Sequence, residues 1–149
     1  MRKDNPSGRE IAEKAKQIKF DNRKDIVGEK NGKTMHFLGA DLSHVKSLDE
    51  LEDGQVIGVM DTALAGDETT LPAGKHNLFL SKVGGEWRIH AESNGEIVAQ
   101  AVRVSVAEHA VSTRRVSNPH FSQQGWCLID ICILSIWGCC VLYIALFCF

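Results

Sequence analysis

At 149 residues the chain has the length of one ordinary domain, and its 17 basic against 19 acidic side chains leave it close to neutral. That balance argues against a nucleic-acid-binding domain, which carries a basic surplus, and against an electrostatic membrane-surface binder. Composition changes sharply at Trp126: all five cysteines lie in residues 127–149, which carry a single side chain charged at neutral pH, Asp130.

The N-terminus, Met1 to Gly8, is charged with no apolar run behind it, so it does not read as a secretory signal; with the cysteine-free stretch that follows, it fits a reducing compartment. Residues 9–20 predict a helix, with Ile11, Ala15 and Ile18 on one stripe and Ser7 or Asn5 as the cap. The stripe is thin, which makes the helix peripheral. Asp25–Lys30 and Lys33–Ala40 flank Asn31-Gly32, the favoured type I′ pair, and predict a hairpin. Ser47-Leu-Asp-Glu50 has the capping-box pattern of a short helix ending at Gly54. Gln55–Asp61 is nearly all apolar, as in a central strand. A loop over residues 65–74 leads to strands at Lys75–Val83, Glu86–Glu92 and Glu96–Ala107, joined at Gly84-Gly85 and Ser93-Asn94-Gly95. Within the second of these, Trp87, Ile89 and Ala91 alternate with Arg88, His90 and Glu92, giving one buried and one wet face. Leu71–Leu80 resembles the Pro-Ala-Gly lead-in to a strand of many β-sandwiches, a pattern too common to name a family.

Leu128–Phe149 is almost wholly apolar and, as a helix, would be about 33 Å long, enough to cross a bilayer core of about 30 Å. It is read as a C-terminal anchor, with Trp126, Trp137 and Tyr143 as its aromatic residues, Asp130 at headgroup level and Cys127 as a lipidation position. Arg114 and Arg115 upstream place residues 1–126 in the cytoplasm. The expected architecture is mainly β: a small antiparallel sandwich or barrel with a peripheral N-terminal helix and a C-terminal transmembrane helix. Its parts are a helical segment (1–24), the β domain (25–109), a polar linker (110–126) and the anchor (127–149).

No constellation demands a catalytic role. Gly28 to Thr34 is one residue short of a P-loop, and Thr34 opens a strand-like run rather than a helix, which argues against nucleotide binding. Asp41, Ser43 and His44 are triad residue types, but neighbours in extended chain point apart, and a turn explains them better. His36, His76 and His90 would form a metal site only if their strands brought them to one face. Asp67, Glu68 and Thr69, or Trp87, are the residues a ligand would touch. No cofactor is implied.

The first functional reading is a membrane-tethered, non-enzymatic interaction module, with membrane lipid and a protein as partners. The alternatives are a sandwich binding a sugar or metal ion, and an uncatalogued enzyme. A flat apolar patch outside the tail favours the first, a shallow pocket beside an exposed aromatic the second, and a deep pocket holding two histidines and an acid the third.

Overall fold

The computed structural model describes residues 6–30, 32–64, 69–108, 111–112, 120–122 and 127–149. Helix α1 (Gly8–Gln17) is followed by β1 (Phe20–Lys30), β2 (Lys33–Ala40), a 3-10 turn (Leu48–Glu50), β3 (Gln55–Thr62), β4 (Gly74–Val83), β5 (Glu86–Ser93) and β6 (Glu96–Gln100). Strands β7 (Arg103–Ala107), β8 (Val111–Ser112), β9 (His120–Ser122), β10 (Cys127–Ile136) and β11 (Cys139–Cys148) complete the chain. Two antiparallel sheets result: a six-stranded meander, β1 to β6 in chain order, and a five-stranded sheet ordered β7-β11-β10-β9 with β8 also on β11.

The N-terminal half follows its local chemistry. Ser7 Oγ accepts from the Glu10 amide at 3.2 Å and caps α1, and Ile11 sinks into a cluster with Val56 and Phe79 on the outer face of the six-stranded sheet. The opposite face of β3 carries Ile57 and Met60 into the core between the sheets, which is why Gln55–Thr62 reads as a continuous apolar run. Gly58 has no room for a side chain: a Cβ there would lie 2.6 Å from the Phe37 ring and 2.7 Å from the Leu38 carbonyl. The first hairpin pairs Lys30 with Lys33, and Gly32 has φ 77°; Asn31 lies outside the described residues. β1 begins at Phe20 rather than Asp25, with an irregularity between those residues that absorbs the shift. Ser47 makes no side-chain cap; Glu50 Oε2 instead accepts from the Lys46 amide at 2.7 Å, and only a 3-10 turn forms. The strand expected at 96–107 is two. Ala101 N donates to Ile89 O on the six-stranded sheet and Val102 N to Cys148 O on the other, so the chain changes sheets between these residues.

The expected transmembrane helix is corrected by the structure: residues 127–148 are a β-hairpin, and no helix among the described residues is long and apolar enough to cross a membrane. Its turn is Trp137-Gly138, both with positive φ (55° and 75°), as a two-residue type I′ connection requires. Alternating side chains then point into the core, where Leu128, Ile131, Leu142, Ile144 and Phe147 meet Phe37, Leu78 and Ile89 of the six-stranded sheet. Phe37 and Phe147 meet edge to face with centroids 6.4 Å apart. Each such buried side chain contributes about 1.5–3 kcal/mol relative to exposure. Two strands of this kind joined by two residues imitate one long apolar span.

The tail cysteines tie the hairpin together. Cys127 and Cys148 are register partners and form a disulfide, and Cys132 bonds Cys140. Cys127 therefore has no thiol to acylate, which overturns its reading as a lipidation position. Asp130 is half-buried in β10 with φ 58°. Tyr143 is buried against Cys140 and Ala107, not set in an aromatic belt; Trp126 lies outside the described residues.

Candidate functional site

The hairpin turn presents Trp137 to solvent at 98% exposure, flanked by half-buried Ile136 and exposed Cys139. Left-handed backbone suits glycine and asparagine; a bulky side chain there costs about 1–2 kcal/mol. Trp137 bears that cost and gains almost no burial in return. Beside it runs a groove of about 440 Å³ lined by Ser43, Val45, Lys46, Ser135, Ile136 and Trp137.

The far wall of the groove is held firmly. Asp41 Oδ1 accepts from the Ser43 amide at 2.9 Å, and Val45 N donates to Leu42 O at 3.0 Å. Lys46 Nζ reaches the Ser43 carbonyl at 3.0 Å. Leu42 and Val45 are buried anchors, so Ser43 and Lys46 stay outward on a fixed loop. The hydrogen bonds from Ser43 hold the Asp41 carboxyl below the usual carboxylate range. Asp41 and Ser43 thus make an Asx-type turn, with the aspartate committed to backbone and His44 exposed beside it.

The other candidate residues are placed as follows. Trp87 closes one edge of the sandwich: its indole N–H donates to Glu108 Oε1, and Lys82 Nζ sits 4.9 Å from its ring centroid. A groove of about 610 Å³ beside it is lined by Val104, Val106 and Glu108, with the polar edge of the indole already used inside the fold. Thr69 is buried, donates to the Phe149 carbonyl at 3.2 Å and accepts from Leu71 N at 3.2 Å, so it ties β11's flank to residues 69–71. Asp67 and Glu68 lie outside the described residues.

The three histidines are not brought together. His36 and His90 stand on the outer face of the six-stranded sheet with β3 and β4 between their strands. His36 pairs with Asp25 across β1 and β2. His90 stacks on Phe79 with centroids 5.3 Å apart, and burial, then the Arg88 charge, lowers its pKa. His76 pairs with Met60 on the core face, is 2% exposed, and its Nδ1 has no hydrogen-bond partner among the described residues; burial pushes its pKa down. Among the described residues no group of three His, Cys, Asp or Glu side chains is placed to hold a metal ion.

Sequence reasoning assigned Trp137 to the anchor and missed it as a turn. The signal was present: Cys127 and Cys148 are equidistant from Trp137-Gly138, as cross-strand partners must be. No protein-family model matches this chain, and neither a curated protein nor a solved structure shows significant similarity to it.

Proposed function

We propose that this chain is a non-enzymatic β-sandwich that binds a carbohydrate at the Trp137 hairpin tip. One observation carries the reading: an almost fully exposed tryptophan, held in unfavourable backbone, borders a shallow groove on a rigid loop. An exposed indole face offers the apolar CH face of a sugar ring a flat partner, while Ser43, Ser135 and Lys46 supply hydroxyl and ammonium groups for sugar hydroxyls. Two cystines in the hairpin support residence in an oxidising compartment in place of the cytoplasm.

The test is titration of the full chain with cellotetraose and chitotetraose, reading the backbone amides of Ser43, Lys46 and Gly138 by NMR, with phosphatidylcholine–phosphatidylserine vesicles as a parallel arm. Saturable shifts with an oligosaccharide, abolished in Trp137→Asn, support the reading. No shift with either sugar overturns it, and a Trp137-dependent response to vesicles alone replaces it with a membrane-interface role.

A further inference from the structure

We propose a second binding site, independent of the hairpin tip: the hollow between α1 and the outer face of the six-stranded sheet takes a small organic phosphate with a hydroxylated carbon frame. The hollow measures about 650 Å³, within the range of about 300–1,000 Å³ typical of small-ligand sites. Its rim carries Arg9, Lys16 and Lys75, and its floor the one acid Glu92, so positive charge gathers here in a chain whose formal net charge is −2.

The backbone brings two of these cations to one end. Gly8 packs so closely on the β5–β6 turn that a Cβ would lie 2.4 Å from Gly95 O, which seats Arg9 beside that turn. On the turn's other flank Ser93 Oγ donates to Lys75 O at 3.3 Å. Neither Arg9 nor Lys75 has an ion-pair partner among the described residues, whereas Lys16 is held by Glu13 at 3.2 Å. A phosphate between Arg9 and Lys75 meets two unpaired cations.

The floor is built for hydroxyls. Glu92 is 1% exposed; one carboxylate oxygen accepts from Gly95 N and the other from Asn77 Nδ2, both at 2.8 Å. The buried carboxylate so fixes Asn77, whose half-buried amide keeps an oxygen and one N–H for a ligand, in a hollow whose remaining wall is Ala12, Ala15 and Phe20. Donors and acceptors beside an apolar wall suit a polyol; the flanking cations add the phosphate.

The experiment is calorimetric titration of the full chain with glucose 6-phosphate, ribose 5-phosphate and glycerol 3-phosphate, against glucose and inorganic phosphate as controls. At least one phosphate ester is expected to bind saturably and about tenfold or more tighter than either control, and the surface double variant Arg9→Gln/Lys75→Gln to lose about tenfold while unfolding at the same temperature. Trp137→Asn leaves this binding unchanged, which separates it from the carbohydrate reading. The proposal is overturned if no ester binds, if inorganic phosphate binds as well as the esters, or if the double variant binds like the parent chain.

Discussion

Trp137 shows how a single side chain can work against its own backbone. Its φ of 55° is one that asparagine adopts readily, and Asn-Gly is the preferred pair for this turn. Trp137→Asn should therefore raise stability by about 1 kcal/mol in urea unfolding while abolishing sugar binding. A structural tryptophan would give the reverse, with stability falling. His76 makes a second claim at this scale. Burial lowers its folded pKa, outweighing the backbone hydrogen bonds at Gly74 and Met60 that raise it, so the unfolded chain takes up the proton first. The stability it contributes is whole above the ordinary histidine value of about 6.5 and is lost as pH falls through the lower folded value. The urea midpoint should drop on acidification, and His76→Leu should flatten that slope; an unchanged slope contradicts the account. From sequence alone His76 could be put on a strand but not on a face, because Lys75 to Leu80 alternates too weakly to fix which side meets the core.

Among the elements, the signals that proved legible were local: Ser7 before a thin stripe, and glycine turns at Gly32, Gly84-Gly85 and Gly95 between alternating strands. What escaped reading was set by distant partners. β6 and β7 look like one strand because the sheet change at Ala101–Val102 needs no turn residue. β10 and β11 look like a helix because a strand with both faces covered loses its alternation, and Trp137 does not announce a turn. The Cys127–Cys148 disulfide spans 21 residues of chain, so Cys127→Ser/Cys148→Ser should cost about 3 kcal/mol by chain entropy, read as a lower urea midpoint. The guanidinium of Arg103 lies 3.6 and 3.5 Å from the two sulfurs.

On the scale of the whole molecule, the apolar tail is the second layer of the sandwich. Without it, Phe37, Leu78 and Ile89 would face water, and the six-stranded sheet would keep only α1 on its other face. Since a domain's entire stability is about 5–15 kcal/mol, the lost burial exceeds what the remaining residues can supply. The β class and sandwich layout were legible from strand spacing, but the domain boundary was not, because hydropathy cannot tell burial in protein from burial in lipid. The most direct measurement is urea unfolding of the full chain beside a 1–126 truncation, followed by circular dichroism and amide dispersion. The account predicts a cooperative transition for the full chain and none for the truncation. A truncation that folds by itself with the same transition would show that residues 127–149 are an appendage and not half of the core.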